Sequence, residues 1–273
     1  MSELCVLVEV QDVTQCRDIV FVICTASSVI LRYSVKTHQR LTDIVVVVHD
    51  DPVEFEYPDD SRWLEKASDI AACEQTGHVY IVDVDRTIWR VSTDGADIRI
   101  WLHWPWNGAF EPYAVSVTSG RLLVTQCYWP SLRQYDADGN KLRDVVLVGY
   151  MYAYHAEESP TGTYIVSHYN HNLDQFQVSE VDARTGGEMN SVDENSGSRL
   201  SFDVAVDSRG NILLADSDSC HVLLYDAHFL LRRVIVDEHQ LNYKQPLRLS
   251  FREQSGQLLV VVEDRVALFE VYE

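Results

Sequence analysis

The stretch Phe202-Asp203-Val204-Ala205-Val206-Asp207-Ser208-Arg209-Gly210-Asn211-Ile212-Leu213-Leu214-Ala215-Asp216 decides the fold of this chain. Two short aliphatic runs flank a polar turn, and Gly210-Asn211 supplies the positive φ that a tight hairpin demands. The second run, Ile212 to Ala215, is apolar at every position and reads as a strand covered on both faces. After another turn comes a third strand, Val222-Leu223-Leu224-Tyr225-Asp226.

The same doubly apolar run recurs along the chain. It appears as Ile19-Val20-Phe21-Val22-Ile23, Val79-Tyr80-Ile81-Val82, Leu122-Leu123-Val124, Tyr164-Ile165-Val166 and Leu258-Leu259-Val260-Val261-Val262. Most intervals between these runs match the 40–50-residue period of propeller blades. Each run is followed by a further hairpin, and turns such as Asp94-Gly95 and Asp138-Gly139-Asn140 introduce a fourth strand. Ile98-Arg99-Ile100-Trp101 mixes polar and apolar residues, as suits an outer edge wetted on one side. Six units result, over about 3–48, 68–104, 112–147, 152–192, 201–236 and 246–273. The expected fold is all-β: a six-bladed β-propeller of about four antiparallel strands per blade, one domain over residues 1–273. Only Asp60 to Ser68 and Glu238 to Tyr243 read as a turn or two of helix. The longest interval holds an acidic insertion, His49 to Ala67. For ring closure, either the residues around Leu4 to Val10 complete the last blade, or they form the innermost strand of the first.

The fifth unit resembles an NHL repeat, whose pattern is an apolar-Ala-apolar-Asp strand, a Gly turn, a β-branched strand and a closing Asp. Val222-x-x-Tyr225-Asp226 continues it, and Arg133-x-Tyr135-Asp136-x-Asp138-Gly139 echoes it in the third unit. The family often places Asn then Arg after the inner hairpin, where this chain has Ser219-Cys220-His221. The resemblance implies protein or RNA binding, with a minority of six-bladed enzymes.

Composition narrows the choice. Lys and Arg number 22 against 42 Asp and Glu, a formal charge of −20. Such a surface repels phosphate backbones, so nucleic acid is not an expected partner. Cationic groups suit it better. The opening residues lack the basic and small-residue features of a secretory leader, and no apolar stretch is long enough to span a bilayer. The expectation is a soluble, cytoplasmic protein without a membrane partner. The six cysteines show no metal-ligand spacing and read as free, mostly buried thiols.

Turns joining second to third strands share one face of a propeller with the connections between blades. One sector of that face is aromatic: Trp104 and Trp106, Tyr128 and Trp129, Tyr150, Tyr152 and Tyr154, then His168, Tyr169 and His171. The rest is acidic and includes Asp216 and Asp218. Aromatic rings are common binding anchors and attract cations by about 0.5–2 kcal/mol each. The expected function is therefore a binding propeller that grips a protein segment, a peptide or a cationic small molecule. Its candidate contacts are Trp104, Trp106, Tyr128, Trp129, Tyr150, His168, Tyr169, His171, Asp216 and Asp218. No cofactor is expected. The alternative is a metal-dependent hydrolase or lyase, with His168 and His171 beside an ion at the channel mouth. No nucleophile elbow or phosphate-binding loop is present.

Overall fold

The computed structural model describes residues 2–5, 9–25, 27–49, 61–64, 66–104, 110–126, 129–149, 151–192, 203–263 and 265–271. After strand β1 (Ser2–Cys5), blade 1 contains β2 (Val10–Cys16), β3 (Ile19–Cys24), β4 (Val29–Ser34) and β5 (Ile44–Val45). A small hairpin, β6 (Val47–His49) and β7 (Ser61–Trp63), follows. Blade 2 is β8 (Ala67–Cys73), β9 (His78–Asp83), β10 (Thr87–Ser92) and β11 (Ile98–His103). Blade 3 is β12 (Pro112–Thr118), β13 (Arg121–Gln126), β14 (Ser131–Tyr135) and β15 (Lys141–Val146). Blade 4 is β16 (Met151–Glu158), β17 (Tyr164–Asn170), β18 (Gln175–Val181) and β19 (Glu188–Ser191). Blade 5 is β20 (Asp203–Val206), β21 (Ile212–Asp216), β22 (His221–Tyr225) and β23 (Leu231–Val236). Blade 6 has β24 (Pro246–Arg252), β25 (Gln257–Val262) and β26 (Arg265–Glu270).

The N-terminal strand supplies the missing outer strand of blade 6. β1 pairs antiparallel with β26, placing Leu4 opposite Val266. The two readings of the opening residues divide between neighbouring segments: Ser2–Cys5 completes the last blade, whereas Val10 already begins the innermost strand of the first.

Alternation along the second strand of each blade explains how the ring is built. Phe21 and Ile23 pack toward blade 2, with Ile70, Ile81 and Trp89, while Val20 and Val22 pack toward blade 6, with Leu259 and Val261. Tyr80 and Val82 join Leu122 and Val124 between blades 2 and 3. Leu123 joins Tyr164 and Val166, Ile165 joins Ile212 and Leu214, and Leu213 joins Leu258 and Val260. Six apolar clusters are thus six interfaces between consecutive blades, the last linking blade 6 back to blade 1. Strand geometry sends successive side chains to opposite faces, and each face meets another blade. A fully buried Phe21 or Tyr164 contributes about 1.5–3 kcal/mol to its interface.

The fourth strands behave as edges. β15 and β23 are exposed at most positions. Two helix expectations change. Ser61–Trp63 is a strand rather than helix, and Asp60 lies outside the described residues. Residues 238–243 form consecutive turns. Cys16, Cys24 and Cys73 are buried free thiols, and Cys220 is a half-buried one. Burial lifts the thiols of Cys16 and Cys24 to about 12 and about 11, which leaves them uncharged.

Candidate functional site

Two regions of the ring concentrate chemistry. The upper face carries the turns between second and third strands and the blade-to-blade connections. The lower face carries the turns between first and second strands.

On the upper face, blade 4 presents a row of aromatic rings. Register alone sets Tyr152 opposite Tyr169 and Tyr169 opposite Phe176 across β16, β17 and β18. Tyr169 packs edge-to-face on Phe176 and on His171, with centroids 5.2 and 4.8 Å apart, and His171 packs on Tyr152 at 4.4 Å. Tyr154 extends the row from Phe176 to Tyr113 of blade 3. These tyrosines and Phe176 are half-buried, and His171 is exposed. The Tyr169 hydroxyl donates to the exposed Asp174 carboxylate, an interaction that raises the phenol above its usual pKa. Trp129, in the corresponding turn of blade 3, is 61% exposed.

Other expected contacts are placed differently. Trp104 is half-buried and packs on Phe110 and Tyr135, at 5.1 and 6.2 Å between centroids, as a wedge between blades 2 and 3. His168 lies within β17 rather than in a turn, and it is fully buried. Its Nε2 meets Ser179 Oγ at 2.9 Å, and burial lowers its pKa to about 4. The exposed His171 is not joined by His168 as a pair, because His168 is a buried position of β17 whereas His171 lies in the turn that follows the strand. Asp216 is buried, and its carboxylate accepts the amides of Asp218 and Ser219, closing its own turn. Asp218 is exposed on that turn. The same turn chemistry absorbs Asp136, Asp182, Asp207 and Asp226. Trp106, Tyr128 and Tyr150 lie outside the described residues. Among the described residues, no three His, Cys, Asp or Glu side chains come together as a group that could hold a metal ion.

The central channel holds carboxylates that sequence reading did not single out. Innermost strands have one free edge, and their unpaired amides need acceptors. Here the preceding blade provides carboxylates. Ile70 N donates to Asp12 Oδ2 (3.0 Å), Val115 N to Asp69 Oδ2 (2.6 Å), Val206 N to Glu157 Oε2 (3.3 Å) and Leu249 N to Asp203 Oδ2 (2.6 Å). Between blades 3 and 4 the link is neutral, with Ser116 Oγ donating to Ala156 O. Register shifts at Val10/Asp12, Ala67/Asp69, Ala153/His155 and Pro246/Arg248 set bulges at this depth, where they re-aim side chains. His155 Nδ1 lies 3.1 Å from Asp203 Oδ1, and Arg248 Nε lies 3.9 Å from Asp69 Oδ1.

Burial governs the charge of this belt. It raises the Asp12 carboxyl well above the usual range, with the neighbouring Asp69 adding to the effect. Asp69 is pushed up to about 6 by burial, against the pull of Arg248. Glu157 is pushed up to about 7 by burial, opposed by His155. Burial works against the charge on Arg248, but Asp203, Asp12 and Asp69 outweigh it and hold the guanidinium above its usual value. Beneath the belt a cavity of about 580 Å³ reaches the lower face. Its rim acids are held: Glu74 by Arg17 N and Arg252, Glu158 by Arg121 and Gln134, Glu253 by Ser208.

The belt did leave a trace in the sequence. Gln11-Asp12-Val13, Ser68-Asp69-Ile70 and Phe202-Asp203-Val204 each set an acid before a β-branched residue within the first strand of a unit.

No family model and no curated protein sequence matches the chain. Solved structures do resemble it. The WD40 β-propeller domain of Doa1 aligns over 100% of this chain and 96% of its own, with 12% identity and a TM-score of 0.63. A protein of unknown function from Bacteroides caccae aligns over 88% of this chain and 81% of its own, at 16% identity and a TM-score of 0.61. Kuenenia stuttgartiensis hydrazine synthase covers 95% of both chains at 10% identity and a TM-score of 0.61. These likenesses establish the propeller fold.

Proposed function

We propose that this chain is a binding propeller, one domain over residues 1–273, that holds a cationic segment of a protein partner against the upper aromatic row. The observation that carries the reading is that row itself: Tyr152, Tyr169, His171 and Phe176 in mutual contact, with the Asp174 carboxylate beside them. Ring faces and a carboxylate together attract Lys or Arg side chains, and the formal charge of −20 steers basic partners toward the molecule. The exposed Trp129 supplies an anchor on the same face. A binding role also agrees with the NHL-like pattern of the fifth unit and with the general use of propellers as interaction platforms.

Titration with Lys- and Arg-rich peptides, followed by calorimetry, tests this reading. Tyr169→Ala and Trp129→Ala are each expected to weaken binding at least tenfold relative to wild type. Equal affinity in the wild type and both variants, or no binding of basic peptides at low salt, refutes it.

A further inference from the structure

The inner strands gather charge at one depth of the channel. Asp12 of β2, Asp69 of β8, His155 and Glu157 of β16, Asp203 of β20 and Arg248 of β24 meet there, with Tyr113 of β12 close to Arg248. Four carboxyls face one arginine and one histidine. Each carboxyl also bridges two blades by accepting an inner-strand amide from the next. Asp69 stands beside Asp12 and, after burial, is the next influence holding the Asp12 carboxyl above its usual range. Burial opposes charge on Asp12, Asp69 and Glu157, and the nearby carboxylates add to that opposition.

We propose that the belt is a proton-operated clasp: the ring folds with protons on part of its channel carboxyls, and their loss toward alkaline pH leaves buried, mutually repelling charge in the channel that destabilises the closed ring. A protonated carboxyl still accepts the neighbouring amide, so it keeps the bridge while shedding the charge. Direction follows from linkage. A carboxyl whose native pKa exceeds its unfolded value binds protons on folding. Its stabilising effect is complete below the unfolded value near 4, and it is lost as pH rises through about 6 for Asp69 and about 7 for Glu157.

Glu157→Gln keeps the acceptor for Val206 and removes the titrating proton. Thermal unfolding of the wild type and this variant is compared from pH 5 to 8.5. The Tm values are expected to coincide near pH 5, and the variant should lie roughly 5–10 °C higher at pH 8.5. Taking the difference cancels the titrating groups remote from the channel and leaves the contribution of the belt around Glu157. Infrared spectra of the wild type at pH 6 should show the C=O stretch of protonated carboxyl, which fades by pH 8.5 and is reduced in the variant. A Tm difference that does not change with pH, or a wild type lacking that band at pH 6, overturns the proposal. Should Glu157→Gln fail to fold, the wild-type band and its loss with pH decide the matter alone.

Discussion

Replacing Gly186 by alanine tests how closely blades 3 and 4 approach. Gly186 sits in the turn joining β18 to β19, at φ +69°, where its N–H donates to Asp182 O and its carbonyl accepts Val148 N at 2.9 Å. An added Cβ would overlap the Val146 carbonyl oxygen, and it would lie 2.7 Å from the carbonyl carbon and 3.3 Å from Leu147 Cα. All of these are backbone atoms, so no side-chain rotation relieves the clash. The turn must withdraw from blade 3, and the Val148–Gly186 hydrogen bond breaks. Left-handed backbone costs alanine about 1–2 kcal/mol, and the lost hydrogen bond adds about 0.5–1.5 kcal/mol. Together they predict a loss of about 2.5 kcal/mol. Gly162 provides the control, since it has φ +80° and its added Cβ would meet nothing within 4 Å. Gly162→Ala should therefore lose only the backbone share, about 1.5 kcal/mol. Urea unfolding of both variants measures the difference, expected near the hydrogen-bond share of about 1 kcal/mol. Equal losses would show that blade 4 does not press against blade 3 at this turn, and the interface as described would be wrong.

Two other outcomes can be checked by simpler means. His168 is fully buried with its pKa lowered to about 4, so the native state resists taking the proton that the unfolded chain accepts near 6.5. Stability from this group is complete above 6.5 and falls by about 3 kcal/mol as pH drops to 4; His168→Gln should lose less stability than wild type across that window, and identical urea midpoints at pH 7 and pH 4.5 in the two proteins would contradict it. Removing residues 1–5 strips β1 from β26 and leaves an unpaired strand edge on blade 6. The truncated chain should melt at lower temperature and associate with increasing concentration in size-exclusion chromatography, whereas an unchanged Tm would mean that β1 does not close the ring.

Much of the architecture was legible because it rests on local rules. Runs such as Phe21 to Ile23 and Tyr164 to Val166 are apolar at consecutive positions, which only a strand covered on both faces tolerates. Their spacing counted the blades: the second to fifth units match blades 2 to 5 within two residues, while the first takes in residues 3–5, which belong to blade 6. Hairpin residues marked where strands reverse. Reading of the site was less complete. Tyr152, Tyr154, Tyr169 and His171 were read as one sector, whereas Phe176, which the register of β16, β17 and β18 aligns with Tyr152 and Tyr169, was not singled out. His168 was misplaced because the turn begins at His171, three residues later than the sequence suggested, so a core position of β17 was read as part of a loop. Trp104 was expected as an exposed anchor, but the adjoining Phe110 and Tyr135 enclose it.

By itself, the amino-acid sequence determined the strand as the unit, the number of blades and the acidic character of the molecule, since alternation, turn chemistry and charge are properties of short segments. Tertiary structure alone decided that Ser2–Cys5 closes blade 6 and that Asp12, Asp69, Glu157 and Asp203 converge in the channel. The physical reason is distance along the chain. Each of those carboxylates answers an amide on the following blade, dozens of residues away, and only the curvature of the closed ring brings the two into hydrogen-bonding range.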